Sequence, residues 1–276
     1  MPTRLHSEIL IAVDVGNSRA KWGRFVDGRL VDTASLPLGD PAAYDEQATR
    51  WELAPSTADR ESSSDIRHSS FVIRHSPVWS LATVNPDGSQ PLLDWLARRV
   101  FAPALILNDP AMLPLPVELE KPAAVGIDRL LNAVAVNARR QPGRAAVIVD
   151  CGSAITVDAV SREGAYRGGS IAAGLGLSAR GLHEFTYSLP LVDIAAAPAA
   201  LGQSTEAAMR SGLFWGTVGA VKELVHRIAR SLDLTAAVYL TGGDAGLLAP
   251  HLDLPAELVP DLTLHGIYLA TQHVRR

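Results

Sequence analysis

Short apolar runs that end at an aspartate and a glycine-containing turn are the main pattern along this chain. Residues 10–13 are apolar and stop at Asp14, and a second, mainly apolar run over 20–26 ends at the Asp-Gly pair 27–28. Runs of this length bounded by turn residues are typical of β-strands, and Asp-Gly between two of them favours a hairpin. The pattern therefore predicts three consecutive strands, the third over 29–35.

The second half of the chain repeats this plan. Residues 145–149 are apolar, a turn of Asp, Cys, Gly and Ser follows at 150–153, and a further apolar run occupies 155–160. The repeat lies in the order of the elements and not in residue identity, which indicates an internal duplication. We predict a first domain over 1–122 and a second over 123–276.

Helical patterns separate these strands. Residues 126–139 place apolar side chains at intervals of three and four, with Asp128 in the first turn, and helices are also predicted over 91–100 and 205–231. The Ser-, Arg- and His-rich segment 55–77 carries a near-repeat. Its basic residues suit an anion or metal site, but the composition is more typical of a solvated loop insertion. We expect its deletion to leave activity in place.

Composition narrows the function classes. Hydrophobic residues make up 47% and charged residues 20% of 276 residues, which is typical of a folded globular protein. A formal charge of −4 argues against nucleic acid as the main partner. The single cysteine, Cys151, excludes an intramolecular disulfide, and no apolar run approaches the ~18–20 residues of a membrane span. We expect a cytoplasmic protein without a membrane partner.

The two aspartate turns are candidate phosphate sites. In the first, Asp14 is followed by Gly16, Asn17 and Ser18. Glycine lets backbone N–H groups approach an oxyanion, and an aspartate at a strand end can hold hydrated magnesium. One such turn alone is more often an ordinary hairpin, but two could grip a nucleotide tail from both sides. The chain contains neither the P-loop nor the dinucleotide-binding glycine motif.

Two further motifs can carry chemistry. Asp128, next to Arg129 at a helix start, could accept a proton from a substrate hydroxyl while the arginine attracts anionic oxygen. The alternative is that Asp128 only stabilises the helix N-terminus and Arg129 is its surface partner. The Gly-Gly turn at 241–244 is either a nucleoside cradle or a plain loop.

Together these segments resemble the type III pantothenate kinase family. The resemblance implies an α/β fold with two actin-like (ribonuclease H-like) domains, each a mixed sheet flanked by helices, and a homodimer. It also implies transfer of the ATP γ-phosphoryl group to pantothenate, which gives 4′-phosphopantothenate in the first step of coenzyme A biosynthesis. The segments that carry the resemblance are 11–25, 81–86, 126–138, 147–160, 168–190 and 204–221.

The resemblance also implies roles for individual residues. Asp128 is the general base, Asp150 binds the monovalent cation, potassium or ammonium, and Thr205 contacts pantothenate. Mg²⁺ accompanies ATP. Pantothenate is surrounded by Gly126, Ile127, Asp128 and Arg129, and ATP is bound by Asp14, Val15, Gly16, Asn17, Ser18, Arg19, Ala20, Lys21 and Ser153.

The chain departs from the family pattern at a few positions. Ser153 stands where the family usually has Thr, Ala173 where it commonly has Pro, and Leu119 and Glu120 where it often has a Tyr. The missing Tyr keeps a kinase for another small hydroxyl compound as an alternative. A nucleotide-binding transcriptional accessory factor on the same fold is the other alternative.

Overall fold

A computed structural model describes residues 8–53, 77–99, 104–232 and 235–276. Of the predicted loop insertion 55–77, all but Pro77 lies outside the described residues. The chain divides into two compact units, one formed by Met1–Met112 with Ile267–Arg276 and the other by Leu113–Gly266. The division into domains at residue 122 stays a prediction.

The first unit is built on a five-stranded mixed sheet. Its strands are β1 (Ile9–Val15), β2 (Arg19–Val26), β3 (Arg29–Pro37), β4 (Val78–Thr83) and β5 (Leu105–Leu107). They follow the order β3-β2-β1-β4-β5, with β1–β2 and β2–β3 antiparallel and β1–β4 and β4–β5 parallel. Asp27 and Gly28 both have positive φ, 48° and 82°, as a two-residue hairpin turn requires. The predicted hairpin is confirmed.

Two helices and an aromatic cluster complete the core of this unit. The helices are α1 (Pro41–Arg50) and α2 (Pro86–Arg99), which begins earlier than the predicted 91–100. Trp22 is fully buried, and its ring centroid lies 5.1–6.3 Å from those of four other aromatic residues. Burial of large rings is a dominant contribution to core stability. The four are Tyr44, Trp51, Trp79 and Trp95.

The second unit repeats the same sheet. Its strands are β6 (Ala146–Cys151), β7 (Ala154–Val160), β8 (Tyr166–Ala173), β9 (Ala237–Thr241) and β10 (Ala256–Leu258). They follow the order β10-β9-β6-β7-β8, in which β6–β7 and β7–β8 are antiparallel and β6–β9 and β9–β10 are parallel. The helices are α3 (Ile127–Arg139), α4 (Leu175–Glu184), α5 (Thr205–Leu232) and α6 (Ala245–Leu248). A last helix, α7 (Leu262–Val274), begins in this unit, and its residues from Ile267 on belong to the first.

The duplicated sheets explain the apolar runs in the sequence. The interior residues of β1 and β6 are almost all buried, because each strand lies in the middle of its sheet. In each unit the second strand alone is antiparallel to the rest, which is the ribonuclease H-like arrangement. The predicted α/β class with two such mixed sheets flanked by helices is confirmed.

Candidate active site

The turn after β1 presents polar groups at the end of a buried strand. Asp14 is the last residue but one of β1, half-buried, and faces Lys21 in the antiparallel register. The Gly16 N–H donates to the Arg19 carbonyl at 3.1 Å and closes the turn, while Asn17 and Ser18 are exposed at its tip. This geometry offers a carboxylate, an amide and a hydroxyl to a ligand.

Not every side chain of the predicted 14–21 segment is open to a ligand. The side chains of Val15 and Ala20 are fully buried, so only their backbone atoms are available. The Arg19 guanidinium donates to Ser35, from Nε to Oγ at 2.7 Å and from Nη2 to the carbonyl at 2.5 Å. The Arg19 side chain is therefore held along β3. Any contact with a nucleotide would use the guanidinium N–H groups that are not bonded to Ser35.

The start of α2 lies beside this first turn. Val15 pairs with Thr83 of β4, and the Val84 N–H donates to the Val15 carbonyl at 3.4 Å. The Asn85 side chain accepts a hydrogen bond from the Gly88 N–H at 2.9 Å and so caps the helix. This cap explains why α2 begins at Pro86, and it brings a helix N-terminus, which favours anions, to the end of the sheet.

The turn after β6 holds its aspartate more firmly. Asp150 is the last residue but one of β6, and its Oδ2 accepts a hydrogen bond from Asn132 Nδ2 at 2.9 Å. Thr263 in turn donates from Oγ1 to Asn132 Oδ1 at 2.9 Å, and both residues are buried. Buried polar groups that satisfy one another fix orientation. The orientation of the Asp150 carboxylate is therefore set by a side chain of α3.

Glycine backbones enclose this second turn. A Cβ added to Gly242, whose φ is +95°, would lie 2.5 Å from Asp150 Oδ1. One added to Gly174 would lie 2.2 Å from the Gly152 carbonyl oxygen, and the Gly174 N–H donates to the Ser153 carbonyl at 3.0 Å. The glycine-rich stretch and the Gly-Gly turn are thus required by close backbone contact with the second turn. Ser153 itself is exposed.

The carboxylate of Asp128 lies in the first turn of α3. Asp128 is half-buried, and the Arg129 backbone N–H donates to its Oδ1 at 2.8 Å. Burial raises the pKa of Asp128, the N–H and charge of Arg129 oppose this shift, and the charge of Asp158 adds to it. A carboxylate with a raised pKa is a better proton acceptor than an ordinary exposed aspartate.

Arg129 is not a surface partner of Asp128, so that part of the alternative is wrong. Its side chain is 13% exposed and forms a two-pronged ion pair with Asp158, which is completely buried. The Asp158 carboxylate also accepts hydrogen bonds from Thr156 Oγ1 at 3.0 Å and from the Tyr166 hydroxyl at 2.6 Å. Sequence reasoning missed Asp158 and Tyr166. The available signal was a charged residue inside the otherwise apolar strand β7.

Helix α3 brings several predicted residues together. Asp128 and Asn132 are four residues apart and share one helix face, so the predicted base and the support of Asp150 come from adjacent turns. Gly126 is the N-cap residue of the same helix, and Ile127 is its buried first residue. Thr205, exposed at the start of α5, has no hydrogen bond to Asp128 or Arg129 among the described residues.

Two other kinds of site find no support in the described parts of the chain. Cys151 is fully buried, and burial raises the pKa of its thiol to about 12, so a reactive thiolate is excluded at neutral pH. No cluster of three or more His, Cys, Asp or Glu side chains there could hold a metal ion. Within the same residues, no helix is long and apolar enough to cross a membrane.

Comparison with known proteins gives one consistent result. A profile of the type III pantothenate kinase family matches residues 10–227. A type III pantothenate kinase of Moorella thermoacetica is 30% identical over 268 residues, which span 94% of this chain and 97% of that protein. One of Gluconobacter oxydans is 43% identical over 189 residues, spanning 68% of this chain and 69% of that protein.

A solved structure agrees at the level of the fold. A crystal structure described as a Baf family transcriptional activator from Campylobacter jejuni has a TM-score of 0.57 with 19% identity, covering 95% of this chain and 98% of that one. The two ribonuclease H-like units, each with an aspartate turn at the end of its central strand, give the chain an actin-like fold. The family profile and the relative matched over nearly its full length go further: the chain belongs to the type III pantothenate kinase family.

Proposed function

We propose that this protein transfers the γ-phosphoryl group of ATP to the primary hydroxyl of pantothenate, giving 4′-phosphopantothenate and ADP in the first step of coenzyme A biosynthesis. One observation within the family assignment carries the proposal. Asp128, a half-buried carboxylate with a raised pKa, stands at the start of α3 beside an ordered arginine. A protein that only bound nucleotide would not need a proton acceptor at the start of α3.

Asp128 acts as the general base. Its ionised carboxylate accepts the proton of the pantothenate hydroxyl while the hydroxyl oxygen bonds to the γ-phosphorus and the bond to the ADP oxygen breaks. The Arg129 N–H holds Oδ1 at 2.8 Å, which orients the carboxylate before the substrate binds. General-base catalysis of this kind contributes about 10²–10⁴ in rate.

The residues around Asp128 bind pantothenate. Arg129 pairs with Asp158 through Nε and Nη2, which leaves the Nη1 N–H groups for the substrate carboxylate. These N–H groups carry the guanidinium charge and can form charge-assisted hydrogen bonds with a carboxylate. Gly126 and Ile127 contribute backbone groups at the helix start, where the helix dipole favours an anion.

ATP is bound by the first turn, residues 14–21, together with Ser153. Mg²⁺ usually keeps several waters and takes one or two carboxylates plus substrate phosphates, so a single carboxylate such as that of Asp14 is a suitable protein ligand for it. When bound, the ion neutralises the charge that develops on the phosphates. Asp150, held by Asn132 and bordered by the Gly242 backbone, is an oxygen donor suited to potassium or ammonium.

A homodimer completes the proposal. Large apolar side chains are exposed in the segment between α4 and α5, at the beginning of which Phe185 is 81% exposed. Exposed large apolar side chains grouped in one segment favour a protein interface. A second copy of this chain covers the surface, and Thr205 contacts pantothenate from within the same region. The exposed residues are Phe185, Tyr187, Leu191 and Leu201.

The test is an assay of ADP formation with pantothenate, run in potassium, ammonium and sodium salts, with mass spectrometry of the product. Pantothenate-dependent turnover that requires potassium or ammonium is expected. A phosphorylated product only with another small hydroxyl compound would support the alternative kinase. ATP binding without turnover on any such compound would support a nucleotide-binding regulator instead.

A further inference from the structure

A completely buried aspartate lies next to the proposed substrate arginine. Asp158, in the middle of β7, has no solvent-exposed side-chain surface. Its carboxylate meets Arg129 Nε at 3.1 and 3.2 Å and Arg129 Nη2 at 2.5 Å. A buried carboxylate is costly unless it is paired and hydrogen-bonded. Arg129 therefore has one strongly preferred position.

Two neutral hydroxyl groups fix the carboxylate in turn. Tyr166 donates to Oδ1 at 2.6 Å and Thr156 donates to Oδ2 at 3.0 Å, so each Asp158 oxygen has a donor besides the arginine. The Tyr166 ring also lies 6.0 Å from the guanidinium carbon. A Cβ on Gly169 would lie 2.5 Å from Asp158 Oδ1, so the carboxylate fits here because the neighbouring strand has a glycine.

The pair uses one edge of the guanidinium only. Nε and Nη2 are engaged by Asp158, and Nη1 is left at the other end of the fork. The backbone N–H of the same residue holds the Asp128 carboxylate. Displacement of Arg129 would therefore disturb its anion-binding N–H groups directly. The base is reached through the helix backbone and through charge, because Asp158 and Arg129 act in opposite directions on the pKa of Asp128.

We propose that Asp158 is a positioning residue for pantothenate, which fixes the Arg129 guanidinium with its Nη1 edge toward the substrate carboxylate, and that Tyr166 supports it. The inference rests on the proposed function. Asp158 does not touch the substrate. Its effect passes through Arg129, so its loss should weaken binding of pantothenate and leave binding of ATP and the chemical step nearly unchanged.

The experiment compares steady-state constants for both substrates in matched variants. Asp158→Asn keeps the shape but removes the charge, and we expect the KM for pantothenate to rise about tenfold or more, which corresponds to the ~1.4 kcal/mol of one decade. The KM for ATP should stay within about twofold and kcat within about threefold. Glu257→Gln is the control, because it removes an exposed pair with Arg139 at the other end of α3.

A double-mutant cycle separates positioning from a general structural role. Lysine keeps the charge of Arg129 but cannot form the fork. If Asp158 acts through Arg129, adding Asp158→Asn to Arg129→Lys should change the KM for pantothenate by less than about twofold. Tyr166→Phe removes only the hydroxyl, and we expect a rise of about two- to fivefold in the same KM, roughly one hydrogen bond.

The outcomes are distinct. A parent protein that does not phosphorylate pantothenate overturns the proposed function and this inference with it. If the parent phosphorylates pantothenate but Asp158→Asn leaves the KM for pantothenate unchanged, only the inference is overturned. The same holds if Asp158→Asn raises this KM equally in the parent and in Arg129→Lys. Should Asp158→Asn not fold, Tyr166→Phe decides: a selective rise in the pantothenate KM supports positioning, and no rise contradicts it.

Discussion

At the scale of single residues, Asp128 combines two opposing demands. Catalysis needs its ionised form, but burial raises its pKa above the ordinary value of 3.8 and so disfavours that form. Between 3.8 and the raised pKa, the folded protein binds this proton more tightly than the unfolded chain does. The contribution of Asp128 to stability is therefore lost as pH rises through this window.

Replacing this carboxylate should separate activity from stability. We expect Asp128→Asn to lower kcat by about 10²–10⁴, because the proton acceptor is gone. Its free energy of unfolding at pH 7 should be no lower than that of the parent, since no charge remains to be buried. Turnover and chemical denaturation measure both. Asp253→Asn, at an exposed site, is the matched control, and near-normal turnover in Asp128→Asn would refute the assigned base.

The pH dependence of turnover should carry the same signature. We expect kcat to fall as pH drops through the pKa of Asp128, which lies above 3.8, because the protonated acid cannot accept the substrate proton. The measurement is a pH profile of kcat at saturating substrates. The residual activity of Asp128→Asn should not show this fall in kcat at low pH. If the fall persisted in the variant, it would be due to the titration of another group.

At the scale of elements, the close approach of β8 and its following glycine to the second turn is the most demanding packing in the site. Gly174 precedes α4, and an added methyl group would meet the backbone oxygens of Gly152 and Ser153 at 2.2 and 2.7 Å. Backbone atoms cannot rotate away as a side chain can. The turn must shift if this position carries a side chain.

We therefore expect Gly174→Ala to destabilise the protein by about 1–3 kcal/mol, as overpacking does, and to weaken ATP binding through the displaced turn. Denaturant unfolding and nucleotide titration measure the two effects. Gly181→Ala is the matched control within α4, where the added carbon would meet nothing within 4 Å apart from its chain neighbours and the backbone of its own helix. That substitution should stabilise by about 0.5–1 kcal/mol, since alanine is the better helix former. Equal effects at both glycines would contradict the packing argument.

At the scale of the whole molecule, the duplicated sheet gives each unit one aspartate turn at the end of its central strand. The units are not equivalent in chemistry. The second alone carries α3 with Asp128, and its Asp150 is held by a buried side chain, whereas the first presents its turn beside the capped start of α2. The proposed base Asp128 and cation ligand Asp150 thus belong to the second unit, and residues 14–21, proposed to contact phosphates, belong to the first.

The proposed dimer is open to a direct test. We expect the parent to behave as a dimer in light scattering and Tyr187→Asp to shift it toward monomer, because a charge at an apolar interface is poorly solvated. Pantothenate affinity should fall in the same variant if Thr205 acts across the interface. Val31→Asp, at an exposed apolar position on β3, is the control. A parent that is monomeric at assay concentration would refute the dimer.

Much of the fold could be predicted from the sequence. The hairpin at Asp27, the strands around Asp14 and Asp150, and helices α3 and α5 follow from runs, turns and periodicity that act over a few residues. The apolar pattern places the start of α2 too late, because it does not report the hydrogen bond from the Gly88 N–H to the Asn85 side chain that caps the helix. Local sequence also identifies the candidate base Asp128. It does not exclude the alternative that Asp128 only stabilises the helix N-terminus.

By itself, the sequence determined where strands, turns and helices form, and it put Asp14, Asp128 and Asp150 at their ends, because local periodicity and turn chemistry act between near neighbours. Only the tertiary structure decided what these carboxylates touch. Arg129 meets Asp158 across 29 residues of chain, and Thr263 meets Asn132 across 131. Such contacts form when α3 packs against the sheet. No short-range pattern encodes which distant polar group a buried side chain will find, since packing of whole elements selects the partner.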